Sequence, residues 1–214
     1  MAHGVGKCLV GFLAVLAALT GLAGCSSETT GKAEGSGSNA DASGQASGGD
    51  SPNLNVSNPL EVNPFVERPC ALVPQRTVAE LGGGTSHEPK GAVSNRLGPS
   101  CTWDLKPKGQ LFHVSLGTVA REMGGRGLAE LYANARAGLG YIDPTKIPSY
   151  PEYPAAFGTF DKDKRSEGYC PLNVGTSNDM VVTVSFENRE QPSQACSSAL
   201  KIAASVLDTL KEGS

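Results

Sequence analysis

Four cysteines, Cys70, Cys101, Cys170 and Cys196, are the residues best suited to covalent chemistry in the later part of this chain. They form an even set with no Cys-x-x-Cys spacing and no histidine at ligand distance, a pattern that suits disulfides rather than zinc. Disulfides persist in oxidising compartments, so the domain that carries them is expected outside the cytoplasm. Four cysteines allow three connectivities, and spacing does not choose among them. The sequential pairing, Cys70 with Cys101 and Cys170 with Cys196, is the expectation, with each closed loop of about 30 residues adding roughly 3 to 4 kcal/mol of stability.

Other chemistry is sparse. Past the N-terminal segment the sequence holds two histidines, His87 and His113, and no Gly-x-Ser-x-Gly elbow. A nucleophile needs a base within hydrogen-bond reach, and neither histidine has a local context that supplies one. No catalytic residue, metal ligand or cofactor is therefore assigned. Glu187 and Glu190 read as solvated loop charges. Gly125-Arg126-Gly127 before a helix could offer backbone N–H groups to an anion. It lacks the dinucleotide fingerprint, having Glu130 where that pattern wants glycine or alanine, and no phosphate-loop lysine follows. Asp161-Lys162-Asp163-Lys164-Arg165 mixes signs as a solvated turn does. The net charge of -3 and the lack of a Lys/Arg cluster argue against nucleic acid as a partner. For ligand binding the candidates are Tyr150 and Tyr153, in a proline-stiffened stretch that also holds Tyr141 and Phe157. Such rings give contact area to a partner protein or glycan, or they cover a sheet.

A fifth cysteine has a different setting. Residues 1–24 have the parts of a secretory leader, with Lys7 near the start and an apolar run from Cys8 to Ala18. That run is shorter than the roughly 20 residues a helix needs to cross a bilayer. Leu22-Ala23-Gly24-Cys25 resembles the lipobox of bacterial prolipoproteins, in which the cysteine thiol becomes a thioether to diacylglycerol and cleavage follows just before it. Cys25 is thus the expected lipidation site, and the membrane, reached through its acyl chains, the expected partner; two or three chains anchor durably. Cys8 reads as a small hydrophobe.

Residues 25–58 read as the lipidated cysteine and a disordered tether. Gly35-Ser36-Gly37-Ser38 and Gly48-Gly49-Asp50-Ser51-Pro52 typify a composition with too little apolar surface to offset ordering entropy. Its typical reach is on the order of 30 Å. Residues 59–214 read as a single disulfide-stapled domain. Pro74 to Leu81 predicts a short helix that stops at Gly82-Gly83-Gly84. Strands are predicted at Cys101–Leu105, Leu111–Val119, Ala155–Phe160, Cys170–Gly175 and Met180–Phe186, with Phe112, Val114 and Leu116 on a buried face and His113 and Ser115 on a wetter one. A helix is predicted from Leu128 to Ala137. Four prolines from Asp143 to Pro154 predict a loop. Cys196, Ala199, Leu200, Ala203, Val206, Leu207 and Leu210 fall at helical spacing. The fold class is α+β: an antiparallel meander of about five strands, an amphipathic C-terminal helix and shorter helices packed on it, and two disulfides.

The order Pro69-Cys70-Ala71-Leu72-Val73, Cys101-Thr102-Trp103, Tyr150-Pro151, Cys170-Pro171-Leu172-Asn173-Val174 and Ala195-Cys196 resembles actinobacterial lipoproteins that carry the domain of unknown function numbered 3558. The resemblance covers about residues 65–212 together with the lipobox and tether. It implies an exported cell-surface lipoprotein on the extracytoplasmic face of the cell membrane, and supplies no reaction or ligand. The expected function is non-enzymatic: a binding or envelope-interaction domain. The alternatives are a small envelope hydrolase without a recognisable motif, and a carrier of lipid or small molecules. Mass spectrometry of the mature protein should find an N-terminus at a diacylated Cys25, and Cys25→Ser should move the protein out of the membrane fraction. An unmodified Cys25, or a start upstream of it, would refute the anchor.

Overall fold

Alternating apolar residues in two central strands build the middle of this protein, which is described by a computed structural model covering residues 52–87, 98–107 and 109–213. The expected leader, Cys25 and the expected tether as far as Ser51 lie outside the described residues. Seven strands form one sheet: β1 (Gly84–His87), β2 (Ser100–Leu105), β3 (Gln110–Leu116), β4 (Tyr141–Thr145), β5 (Ala155–Thr159), β6 (Tyr169–Gly175) and β7 (Val181–Asn188). Four α-helices accompany them: α1 (Gln75–Glu80), α2 (Thr118–Glu122), α3 (Leu128–Arg136) and α4 (Pro192–Glu212). The α+β class and the antiparallel sheet stand as expected, but the sheet has seven strands rather than five.

The two additional strands lie at the edges. β1 reads Gly-Thr-Ser-His and is largely exposed, so it carries no apolar alternation to announce it. β4 contains Pro144, opposite Ala156 of β5. Proline cannot complete a ladder on both sides, but an edge strand does not ask it to. The stretch from Asp143 to Pro154 is therefore a strand end followed by a loop. The predicted strand through Val119 ends earlier, at Leu116, and Thr118 opens α2.

The order is β1-β2-β3-β7-β6-β5-β4, every neighbouring pair antiparallel. This corrects the simple meander: two meanders, β1 to β3 and β4 to β7, meet where β3 pairs with β7. The chain reaches β4 by crossing one sheet face through α2 and α3. Gly127 fixes that crossover. Its φ of 56° is left-handed, and a Cβ there would sit 3.0 Å from the Asn178 carbonyl oxygen in the β6–β7 turn.

One sheet face carries the main core. Phe112, Val114 and Leu116 stand opposite Phe186, Val184 and Val182, and α4 covers them with Ala199, Ile202, Ala203, Val206 and Leu210. Trp103, Phe112 and Phe186 form a cross-strand row, stacked at 4.6 and 6.4 Å between centroids. Ordered packing begins by Val56, which is 4% exposed and donates its N–H to Asn178 Oδ1 at 2.9 Å.

Both disulfides pair sequentially and fasten a helical element to this face. Cys70, in the 3-10 turn Pro69–Leu72, joins Cys101 of β2 across 31 residues, and Cys170 of β6 joins Cys196 of α4 across 26. Loop-closure entropy for those lengths is worth about 3.5 to 3.7 kcal/mol each. The double variant Cys170→Ser, Cys196→Ser should lose roughly 3 kcal/mol of unfolding free energy in urea titration. A change under about 1 kcal/mol would show that the bridge constrains little in the unfolded chain.

Candidate functional site

The opposite face of the sheet is mixed and only partly covered: α3 seals an apolar patch of Leu128, Tyr132 and Ala156, with Ile142 and Val181 against it, and polar side chains lie beside that patch. In a side-chain period of 2, the residues between the core positions of β3 and β7 all point here. Register sets His113 opposite Ser185 and Ser115 opposite Thr183, and continues through Asn173 of β6 beside Thr183. These side chains floor a cleft of about 390 Å³. The crossover helices wall it with Ala120 and Leu131, Val181 and Pro171 add apolar surface from the strands, and Phe160 stands at the β5 end.

Pro171 explains why the cleft exists. Pairing of β5 with β6 stops at Phe157 opposite Leu172, one residue short of Pro171, which has no N–H to extend a ladder. β6 still pairs with β7 through Pro171 and Tyr169, while β5 stays with β4. The Gly158 carbonyl beyond the last β5–β6 pair is satisfied by Asn173 Nδ2 at 2.8 Å, and Asn173 Oδ1 accepts from Thr183 Oγ1 at 2.9 Å. The amide is thus fully occupied in holding the floor. Ser115 and Ser185 are not: the residues are 2% and 9% exposed, but their hydroxyls open onto the cleft and have no hydrogen-bond partner among the described residues, whereas the fully buried hydroxyls without one are those of Tyr141 and Thr176.

His113 shares a hydrogen bond of 3.0 Å between Nδ1 and Thr102 Oγ1. Burial pushes its pKa below the ordinary histidine value, so the ring is neutral near pH 7. The fold therefore brings His113 beside a serine in a cleft. No hydrogen bond joins His113 to Ser185, and among the described residues no carboxylate pairs with the imidazole. His87 lies instead on the exposed edge strand β1, its Nδ1 3.3 Å from Asp104 Oδ2.

The other candidates have structural partners. Tyr150 OH donates to Asp208 of α4, which drives its pKa up to about 12, and Lys211 lies over its ring. Tyr153 is buried, and its OH donates to the Asn58 carbonyl at 3.0 Å. Both hold the proline-rich loop to the domain, away from the cleft. Tyr141 and Phe157 sit beneath the guanidinium of Arg165, which also binds Asp163 and Asp143. Lys164 pairs with Asp161, so both carboxylates of the mixed-sign turn are engaged by its own cations. A second, more polar and shallower depression of about 460 Å³ beside it is lined by Asp161 with Lys164, by Arg189 with Glu187 at 2.5 Å, and by Glu167 and Tyr169. At Gly125-Arg126-Gly127 the Arg126 N–H donates to Glu130 Oε2 of α3 at 3.1 Å, so the turn's own helix already occupies that donor. Among the described residues no group of three or more His, Cys, Asp or Glu side chains could hold a metal, and no helix is long and apolar enough to cross a membrane.

Sequence reasoning missed Ser115, Thr183, Ser185 and Asn173 as a group. The signal was present as small polar residues at alternate positions of two central strands, together with a proline inside a third.

Fold and site define a disulfide-stapled α+β domain with a cleft on the face of its sheet opposite the main core. The chain belongs to the family described as protein of unknown function (DUF3558), whose model matches residues 20–209. No curated protein and no solved structure shows a significant match to it.

The lowered pKa of His113 has a signed consequence for stability. Below about pH 6.5 the unfolded chain binds a proton that the folded chain resists, so stability falls as pH drops toward the folded pKa and is unaffected above that window. His113→Gln should reduce the fall in melting temperature between pH 7 and pH 5. An unchanged slope would mean that the ring takes up its proton freely in the fold.

Proposed function

We propose that this chain is a lipoprotein of the extracytoplasmic face of the cell membrane, like the actinobacterial lipoproteins it resembles, held through lipid on Cys25. Its domain is a non-enzymatic binding module, and its site is the cleft under the α2–α3 crossover. The observation that carries this reading is the pair of unpartnered hydroxyls, Ser115 and Ser185, on the floor of a cleft of about 390 Å³ with apolar walls. That volume falls in the range of roughly 300 to 1,000 Å³ typical of small-molecule sites. The leader, the lipobox and the two disulfides support the location.

The hydrolase reading draws on His113 facing Ser185. It lacks a hydrogen bond between the two and a carboxylate to orient the ring, both of which activation of a serine uses. Binding uses the same groups as they stand.

The test compares the purified parent protein with Leu131→Trp, which fills the cleft from α3. Solvent extraction and mass spectrometry should recover one class of small molecule in near-equimolar amount from the parent and at least tenfold less from the variant. Equal recovery, or none from either, would count against the cleft. A fluorophosphonate adduct on Ser185 would favour hydrolysis instead.

A further inference from the structure

Resting on the binding-module reading, we infer that the cleft takes an uncharged amphipathic molecule, its apolar body against Leu131 and Val181 and its hydroxyl or ester oxygens on Ser115 and Ser185. Charge is the first reason. Among the described residues no Lys or Arg side chain lines the cleft, whereas Glu130 and Asp179 do. Glu130 accepts from the Arg126 N–H and Asp179 from the Ser177 hydroxyl, so both carboxylates are held in place. An anion would meet two negative charges and no compensating cation, in a site where lost hydration is not replaced.

The floor supplies the second reason. Each free serine hydroxyl brings one donor and two acceptor lone pairs, and it rotates to suit. His113, neutral at ordinary pH with Nδ1 committed to Thr102, has its other ring nitrogen left to donate or accept. Neutral hydroxyl and carbonyl groups match these partners in either direction. A cationic head would meet Glu130 and Asp179 only at the wall and mouth of the cleft, where each already accepts a hydrogen bond, and would leave the hydroxyls and imidazole of the floor without a donor. The apolar walls give the remaining part of the molecule somewhere dry to lie.

Three probes of one chain length separate these chemistries: 1-octanoylglycerol, octanoate and octyltrimethylammonium, each kept below its aggregation threshold. They are titrated into the exported chain bearing Cys25→Ser, which carries no acyl groups of its own, and followed by amide shifts of Ser115, Thr183 and Ser185. The glycerol ester should perturb all three amides and bind at least tenfold more tightly than octanoate. Ser115→Ala with Ser185→Ala should weaken the ester roughly tenfold, the equivalent of two modest hydrogen bonds, at an unchanged melting temperature. Should that pair destabilise the fold, Ser185→Ala alone should weaken it severalfold. Octanoate or the ammonium binding in the cleft as tightly as the ester would overturn the ligand class and leave the binding module standing. So would ester binding indifferent to the serines. No shift at the cleft with any probe would overturn both.

Discussion

The ladder between β3 and β7 is the interaction on which the rest of this fold depends. Seven residues, Gln110 to Leu116, each meet a partner from Asn188 back to Val182. Because side chains alternate across a strand, this one register makes two surfaces at once. Phe112, Val114 and Leu116 meet Phe186, Val184 and Val182 on the core side, while His113 and Ser115 meet Ser185 and Thr183 on the other. A slip by one residue would drive the hydroxyls into the core and strand the aromatic rings on the cleft floor. The apolar area buried under α4 therefore enforces the geometry of the opposite face, although no residue of that face contributes to it.

The two disulfides flank the ladder. Cys101 lies beside Val114 on one side, and Cys170 beside Phe186 on the other. Each bridge then leaves the sheet, one to the Pro69–Leu72 turn and one to α4. Pairing two strands so distant in sequence carries a large loop-closure cost, and each cross-link lowers the cost of its own shorter loop, of 31 and 26 residues, on either side of that pairing. The stacked row from Trp103 through Phe112 to Phe186 runs between the bridges' strands and ends at Cys170. Core packing and covalent closure thus act on the same few residues.

The cleft is the counterpart of that rigidity. It opens where β5 and β6 stop pairing, beside Pro171, and it is roofed by a crossover that must span the sheet to reach β4. Elsewhere many polar groups pair with one another, as Arg165 does with Asp143 and Asp163, Tyr150 with Asp208 and Glu130 with the Arg126 N–H, although the Tyr141 and Thr176 hydroxyls are buried without a partner. The Ser115 and Ser185 hydroxyls, by contrast, open onto the cleft with their hydrogen-bonding capacity unused by the protein. A ligand that supplied hydrogen bonds to them would complete the polar floor of the cleft.

Local patterns in the sequence sufficed for α3, α4, the central strands and the even set of disulfide-forming cysteines, because period, capping and cysteine count are properties of neighbouring residues. The expected leader and tether rest on sequence alone and lie outside the described residues. Edge strands escaped, since β1 has almost no buried side chains and β4 contains a proline that only an edge position tolerates. The cleft was out of reach for a different reason. His113 and Ser115 read as the wetter face of one strand, but what they face was decided by pairing with β7, some 70 residues on. Tyr150 and Tyr153 showed the converse, conspicuous as aromatic residues in a loop yet assigned by tertiary contact to Asp208 and Asn58. Sequence determined which side chains were available on each face; only long-range register and the interruption at Pro171 decided which of them share a space.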